Sequence, residues 1–153
     1  MLFRSGPITL KLHVSSNCVD TDFTAKLIDV YPPNGDYPRG YALNLCDGIL
    51  RCRYRNSWEK PELMTPGAVY EITIEPFAVC NLFKAGHRIR IDVSSSNFPR
   101  FDLNWNTGEP EGRALTRRVA TNTVYVDAVR ASHAVLPVVA VGDLRRLGKP
   151  DGL

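Results

Sequence analysis

The sequence contains no long hydrophobic run and almost no segment with the spacing of an amphipathic helix. No apolar stretch approaches the roughly 18 residues that span a bilayer, and the chain does not open with the charged and apolar segments of a secretion signal. These absences predict a cytoplasmic domain with no membrane partner. A basic block is missing too, since 19 Lys and Arg and 16 Asp and Glu are scattered along the chain. We therefore expect no nucleic-acid partner.

Cysteine and histidine are both scarce. The sequence has four cysteines: Cys18, Cys46, Cys52 and Cys80. A chain of 153 residues can form a stable core without disulfide bonds, so we expect free, buried thiols. The three histidines, on three separate segments, are His13, His87 and His133. None has a cysteine or a second histidine at ligand spacing, and we therefore predict no metal and no other cofactor.

Two motifs that would carry chemistry are incomplete. No serine lies in the Gly-x-Ser-x-Gly elbow of α/β-hydrolases, and the run Ser94, Ser95, Ser96 follows a strand without flanking glycines or a helix. The chain is therefore expected to lack a complete catalytic site. Asp20 and Asp22 are potential calcium ligands, but the rest of a calcium loop is missing, which favours a turn between two strands.

Alternation of apolar and polar residues is the dominant pattern. It is clearest over residues 8–15 and recurs over 70–75 and 88–93, as expected for half-buried strands. Weaker strand candidates, rich in β-branched and aromatic residues, are residues 23–31, 41–45, 49–54, 123–126 and 134–141. Between the strands lie turn motifs: Pro32-Pro33-Asn34-Gly35, Asp47-Gly48, Thr65-Pro66-Gly67 and Ala85-Gly86. About eight short strands predict an all-β sandwich over residues 6–141, followed by a flexible tail over 142–153.

One long polar segment, residues 94–118, interrupts the strand pattern and is the best candidate for a binding loop. It combines aromatic rings, side-chain amides and an Arg–Asp pair, and its candidate cleft or interface residues are Asn97, Phe98, Arg100, Phe101, Asp102, Asn104, Trp105 and Asn106. An equally open alternative is structural. In that alternative Phe98 and Phe101 plug the open end of the sandwich, while the amides satisfy backbone groups of the loop.

A row of arginines is the second interface candidate. Arg51, Arg53 and Arg55 alternate with Cys52 and Tyr54, which predicts three guanidinium groups on one face of a strand. Such a row lies in solvent in most proteins, or it meets carboxylates across a domain interface.

Four separate segments resemble the C-terminal domain of the X-Pro dipeptidyl-peptidase and CocE/NonD hydrolase family. They are DTDFTAKLIDVYPPNGD (20–36), DGILR (47–51), NLFKAGHRIR (81–90) and SSSNFPRFDLNWNTG (94–108), in the family's order and with similar spacing. The resemblance runs from about Gly6 to Val139. It departs from the family at Trp105, where proline is usual, at Leu103, near which a basic residue is usual, and at Val129-Arg130, where His-Pro is usual.

The resemblance implies a jelly-roll sandwich of galactose-binding-domain-like fold, packed against an α/β-hydrolase domain that carries a Ser-Asp-His triad earlier in the chain. It implies a role in hydrolysis of acyl esters or amides, or in release of X-Pro dipeptides, with none of the triad in this chain. The domain is expected to buttress the hydrolase domain and to help wall its cleft. An orphaned docking face of this kind predicts self-association of the isolated chain.

A hypothesis of a different class is a free-standing carbohydrate-binding module, because jelly rolls are common among lectins. It requires an exposed flat aromatic side chain, for which Trp105 and Trp58 are the candidates. A blank glycan array would count against it.

Overall fold

The computed structural model describes residues 2–76 and 78–140, with only the backbone described for 2–5, 139 and 140. The predicted tail over 142–153 and the boundary at residue 141 lie outside these residues. The described part contains ten strands: β1 Leu2–Gly6, β2 Thr9–Ser16, β3 Asp22–Tyr31, β4 Tyr41–Arg51, β5 Tyr70–Ile74, β6 Val79–Phe83, β7 Arg88–Ser94, β8 Asn122–Tyr125, β9 His133–Val135 and β10 Val139–Ala140. One short 3-10 helix, Cys52–Tyr54, follows β4.

All strand pairs are antiparallel, and the strands form three hydrogen-bonded groups. Their orders are β5-β2-β8 with β9 also paired to β2, β4-β3-β7, and β10-β1-β6. The first two groups pack face to face around a common core, which confirms the predicted all-β jelly-roll sandwich. Among the described residues no helix is long and apolar enough to cross a membrane.

The core follows from the alternation in the sequence. Leu10, Leu12 and Val14 of β2 are at most 4% exposed, and in the register of β2 with β5 the first two lie opposite Ile74 and Ile72. The facing strand β3 contributes inward residues at the same period: Phe23, Ala25 and Leu27. Each large apolar side chain buried in this way stabilises the fold by about 1.5–3 kcal/mol. Strand β7 keeps the period but lies at the edge of its group, so Ile89 and Val93 remain 40% and 37% exposed.

Several strand predictions need correction. Residues 41–45 and 49–54 were predicted as two strands, but Tyr41–Arg51 is one continuous strand, and the backbone then turns into the 3-10 helix. Strands β1 and β6, which pair with each other, were not predicted, since residues 79–83 show no clear alternation. The long connection predicted after residue 94 is confirmed, because β7 ends at Ser94 and β8 begins at Asn122.

Strand β4 contains a bulge. Leu27 of β3 lies opposite Cys46, whereas the next residue, Ile28, lies opposite Asn44. Leu45 is therefore left without a partner in the ladder. Both Leu45 and Cys46 pack against the core as a result, although neighbouring residues of a regular strand point to opposite faces.

The four cysteines are free, as predicted. Cys18, Cys46 and Cys52 are buried, but Cys80 is exposed, so the expectation that all four are buried is wrong. Burial raises the pKa of Cys52 to about 12, and the negative charges of Asp20 and Asp22 act in the same direction. Because only the thiolate is a good nucleophile, Cys52 is unreactive at neutral pH.

Gly48 lies inside β4, and the prediction of a turn at Asp47-Gly48 is wrong. The glycine is needed for close packing: a Cβ atom at this position would stand 2.9 Å from Cα of Pro76. This distance is too short for an ordinary Cβ contact. The connection after β5 can therefore approach β4 this closely only because residue 48 is a glycine and has no side chain.

We expect Gly48→Ala to lower the free energy of unfolding by about 1–3 kcal/mol, because the backbone at Pro76 must move away. Denaturation in urea, followed by tryptophan fluorescence, measures this change. Gly35→Ala is the matched control, since nothing lies within 4 Å of a Cβ at Gly35. Equal stability of the two variants would show that the close approach at Pro76 is easily relieved.

Candidate functional site

Two aspartate–arginine pairs lie at the end of the sandwich where β3 begins and β4 ends. Asp22 and Arg51 are opposite each other in the ladder, and the guanidinium binds the carboxylate through Nε–Oδ1 at 3.0 Å and Nη2–Oδ2 at 3.1 Å. Asp20 is fully buried and accepts hydrogen bonds from Nε of Arg53 at 2.8 Å and from its backbone N–H at 3.0 Å. We call these four residues the Asp–Arg cluster.

The position of Arg53 depends on the 3-10 helix after β4. At its first residue the backbone N–H of Cys52 donates to the carbonyl of Thr21 at 2.9 Å, which fastens the turn to the connection before β3. The turn then directs Arg53 back toward Asp20. Asp20 lies in the connection between β2 and β3, as the turn interpretation predicted, whereas Asp22 is already the first residue of β3. Both carboxylates bind arginines, which the sequence did not indicate.

The predicted arginine row does not exist as a row. Arg51 ends a strand, Arg53 lies in the 3-10 helix, and Arg55 follows it, so the three do not share one strand face. They do not lie in solvent either, since their side chains are 13%, 9% and 3% exposed. Arg55 binds Glu62 at 2.6 Å and stacks over the ring of Tyr70 at 4.4 Å.

The electrostatic state of the cluster is set by burial and pairing. Burial raises the pKa of Asp22, and hydrogen bonds from Arg51 and Asn104 oppose this effect. For Arg51, burial alone would lower the pKa, but hydrogen bonds to Asp22 and Glu111 outweigh it and raise the pKa. The guanidinium therefore stays charged, and it is the group that keeps the buried carboxylate of Asp22 compensated.

The long loop is fastened to the Asp–Arg cluster by one amide. Nδ2 of Asn104 donates to Oδ2 of Asp20 at 2.8 Å and to Oδ1 of Asp22 at 2.7 Å. Its Oδ1 accepts the backbone N–H of Asn106 at 2.9 Å, which fixes the turn that follows. Asn106 adopts a left-handed conformation, with φ of 63°, and its side chain donates to the carbonyl of Arg118 at 2.8 Å.

A second anchor holds the start of the loop. Nδ2 of Asn97 donates to Oδ2 of Asp47 at 3.0 Å, and Nε of Arg100 lies 2.8 Å from Oδ1 of the same carboxylate. Asp47 is buried in β4, so this carboxylate is also a fixed point of the sheet. The amide nitrogens of Asn97 and Asn104 thus bind carboxylates of the sandwich. Oδ1 of Asn104 and the side chain of Asn106 bind loop backbone, as the structural alternative predicted.

The aromatic rings of the loop differ in their exposure to solvent. Phe98 is 66% exposed and Trp105 is 43% exposed, whereas Phe101 is half-buried beneath Arg100, whose guanidinium lies 5.7 Å from the ring centre. The plugging hypothesis is therefore wrong for Phe98. The loop presents an exposed aromatic surface on a base of buried ion pairs.

The loop and the Asp–Arg cluster enclose an open cavity of about 360 Å³. Six of the eleven predicted site residues line it: Arg51, Arg53, Phe98, Asp102, Asn104 and Trp105. Asn97, Arg100, Phe101, Asn106 and Arg55 do not line it. The arginines lie at its base, and its rim includes Asp102 and Glu111, which bind Arg51 at 3.3 and 2.8 Å.

Sequence reasoning missed two acidic members of this site, Asp47 and Glu111, and gave Asp20 and Asp22 a role other than the binding of arginines. Asp22 and Arg51 are 29 residues apart, and only the register of β3 with β4 brings them together. The sequence would have indicated this ion pair only if the strand that begins near Asp22 had been predicted to pair with the strand that ends near Arg51.

We expect Arg53→Met to lower the free energy of unfolding by about 3–5 kcal/mol, because it leaves Asp20 buried without its cation. The double variant Asp20→Leu/Arg53→Met is expected to recover part of that loss, since neither charge of this pair then remains buried without its partner. Thermal unfolding measures both. Arg130→Met is the control: its partner Asp127 is exposed, and we expect almost no change in midpoint. Equal losses in the two single variants would refute a special role for the buried pair.

Comparisons with known proteins agree with this architecture. Residues 5–135 match the family model of the X-Pro dipeptidyl-peptidase C-terminal non-catalytic domain. The cocaine esterase of Rhodococcus sp. is 44% identical over 137 residues, which are 88% of this chain and 23% of the esterase.

Solved structures give the same picture. An aminopeptidase from a marine sediment Thaumarchaeota archaeon superposes with a TM-score of 0.84 at 30% identity, over 91% of this chain and 24% of the aminopeptidase. An α-amino acid ester hydrolase has a TM-score of 0.84 at 33% identity, over 90% of this chain and 24% of the hydrolase. The chain thus spans about a quarter of the length of these relatives. It belongs to the family of X-Pro dipeptidyl-peptidase C-terminal non-catalytic domains.

Proposed function

We propose that this chain is the accessory domain of a serine hydrolase that acts on acyl esters or amides, or releases X-Pro dipeptides. In this function an α/β-hydrolase domain carries the catalytic triad, and the present domain buttresses it and walls its active-site cleft. The relatives support the existence of a partner domain, because this chain matches only about a quarter of the length of each relative. We propose residues 6–141 as the accessory domain and keep its cytoplasmic location as a prediction.

The observation that carries the proposal is the way the long loop is held. Phe98 and Trp105 are exposed over the cavity, while Asn104 at the base of the loop is bonded to two buried aspartates. A surface that shapes an acyl pocket must keep its geometry while it excludes water, and it does so best on a rigid base. An exposed aromatic loop on such a base has the properties of a cleft wall.

The same loop also has the composition of an interface. Leu103, which lines the cavity together with Trp105, is 50% exposed. The side chain of the acidic Asp102 is 76% exposed. Partly exposed aromatic and aliphatic side chains surrounded by charged ones are typical of the centre and rim of a protein interface. We therefore assign Phe98, Leu103 and Trp105 to contact with the hydrolase domain or with the acyl group in its cleft.

A chimera tests this assignment. We would replace the matching 23% of the Rhodococcus cocaine esterase with this chain and measure turnover of p-nitrophenyl acyl esters and an X-Pro anilide. We expect an active chimera in which Trp105→Ala lowers kcat/KM by roughly tenfold, since truncation of a buried interface aromatic costs more than 1 kcal/mol. Trp58→Ala is the matched control, because Trp58 is 74% exposed and does not line the cavity.

Two results would contradict the proposal. One is a folded, fluorophosphonate-labelled chimera in which Trp105→Ala and Trp58→Ala behave alike, which would remove the loop from the cleft. The other is turnover or serine labelling of the isolated chain, which would mean that it contains a catalytic site of its own.

The carbohydrate-binding hypothesis meets its first requirement at Trp58. This side chain is 74% exposed and stacks on Tyr54, with ring centres 6.1 Å apart and an interplanar angle of 24°. A flat exposed ring can support a sugar. Trp58 does not line the cavity of the long loop, so the accessory-domain function accounts for more of the structure.

We further propose that the isolated chain self-associates through the long loop. Leu115 and Val119 are 88% and 87% exposed, in addition to Phe98 and Trp105. Sedimentation velocity is expected to show a concentration-dependent increase in mean mass, which Trp105→Ala reduces and Trp58→Ala does not. A monomer at all concentrations up to the millimolar range would contradict an orphaned docking face.

A further inference from the structure

A second concave site lies at the other end of the β4-β3-β7 group. Its volume is about 540 Å³, and its walls include Tyr31, Pro33, Arg39, Tyr41, Arg88 and Arg90. The Asp–Arg cluster is at Asp22, the first residue of β3, whereas this site is at Tyr31, the last one. At about 3.3 Å per residue the two sites are roughly 30 Å apart along the strand. We call the second site the arginine groove.

The sheet places two of the arginines side by side, with no acidic residue opposite them on the neighbouring strand. Arg88 and Arg90 are two residues apart on β7, so they project from the same face. Their cross-strand neighbours on β3 are Val30 and Ile28, which carry no charge. The strand therefore supplies two cations to one wall of the groove and no acid from the neighbouring strand.

The third arginine comes from the connection between β3 and β4, which is well ordered by its own contacts. Oδ1 of Asn34 accepts the backbone N–H groups of Asp36 and Tyr37 at 3.0 and 2.9 Å. Gly40 has φ of +77°, and a Cβ there would lie 2.7 Å from the carbonyl oxygen of Tyr31. Only glycine fits at position 40, where the connection returns to the sheet just before β4 begins. The residue before it, Arg39, lines the groove.

Acidic partners among the described residues neutralise only one of the three arginines of the groove. Arg90 is paired with Asp92 on its own strand, with Nε–Oδ1 at 3.0 Å and Nη2–Oδ2 at 3.2 Å. Among the residues that the structure describes, Arg39 and Arg88 have no acidic partner, and no acidic side chain lines the groove. Converging cations in a concave surface concentrate anions, and the effect is strongest where no carboxylate competes.

The tyrosines complete the site. Tyr41 stacks on Tyr37 with ring centres 4.8 Å apart, and Tyr31 packs against His87 at 4.2 Å. His87 itself is held by Asp29, with Nδ1–Oδ1 at 2.9 Å. Stacked rings stiffen both walls of the groove, so an incoming ligand meets arginines on a preformed surface and needs to order little of it.

We propose that the arginine groove binds a multiply charged oxyanion, in which carboxylate or phosphate groups bridge Arg39 and Arg88. Guanidinium groups bind both kinds of oxyanion with paired, charge-assisted hydrogen bonds, and Arg90 adds a third cation at the edge. The ligand is either a small soluble anion or an acidic segment of a protein, which share this chemistry. The site is separate from the cavity of the long loop, so it stands or fails independently of the hydrolase function.

Titration of the isotope-labelled chain tests the proposal by NMR. Sodium pyrophosphate and hexaglutamate would be added separately at constant ionic strength of about 0.15 M, because screening changes any surface binding. We expect saturable shifts of the backbone amides of Gly40, Tyr41 and Gly86. Arg39→Gln and Arg88→Gln are each expected to weaken binding about tenfold, as for loss of a charge-assisted hydrogen bond.

Arg117→Gln is the matched control, since Arg117 is exposed, lies in the long loop and does not line the groove. Saturable binding of pyrophosphate supports a small-anion ligand, and saturable binding of hexaglutamate alone supports an acidic protein segment. The proposal is overturned if neither probe saturates the shifts. It is also overturned if Arg117→Gln weakens binding as much as Arg39→Gln, which would indicate attraction by net charge only.

Discussion

The buried carboxylate of Asp20 is the interaction on which the candidate site depends. It has no exposure to solvent, so its charge must be met by the domain itself, and three groups meet it: the side chain and backbone of Arg53 and the amide of Asn104. Those groups come from the turn after β4 and from the long loop. One carboxylate therefore joins three parts of the chain that strand pairing alone would leave independent. Losing any partner would leave a polar group buried without compensation, which makes the arrangement cooperative.

This construction separates stability from recognition. The polar groups that fix the loop are turned inward, and the apolar side chains that are free to contact another molecule are turned outward. A domain that serves a catalytic partner benefits from such a division, because its outer side chains can vary with the substrate while the fastening beneath them stays the same. Family membership fits this view, since an esterase, an aminopeptidase and an amino acid ester hydrolase each contain a domain similar to this chain.

The sequence allowed the sandwich to be predicted because alternation is a local signal. In β2 the apolar period is regular from Leu10 to Val14, and it places Leu10, Leu12 and Val14 in the core. The site was harder to predict because its contacts are not local: Asp20 and Arg53 are 33 residues apart. The period-two pattern of Arg51, Arg53 and Arg55 even favoured the wrong structure. Nothing in that pattern signals that the strand ends at Arg51, and the reason it ends there is tertiary, since Cys52 binds Thr21 and not a neighbouring strand.

The bulge at Leu45 sets how the residues at one end of the β3–β4 hairpin are paired relative to those at the other end. With Leu45 outside the ladder, Ala42 faces Val30 and Tyr41 faces Tyr31, which places them beside the arginine groove. If the ladder absorbed Leu45 as an ordinary member, residues 41–44 would slip by one and exchange faces, while the Asp22–Arg51 end kept its pairing. The length of this hairpin is thus as much a determinant of the surface as its composition. Substitutions can change the side chains at either end of the hairpin. Only an insertion or a deletion can move the side chains at one end to the opposite face of the sheet while the other end keeps its pairing.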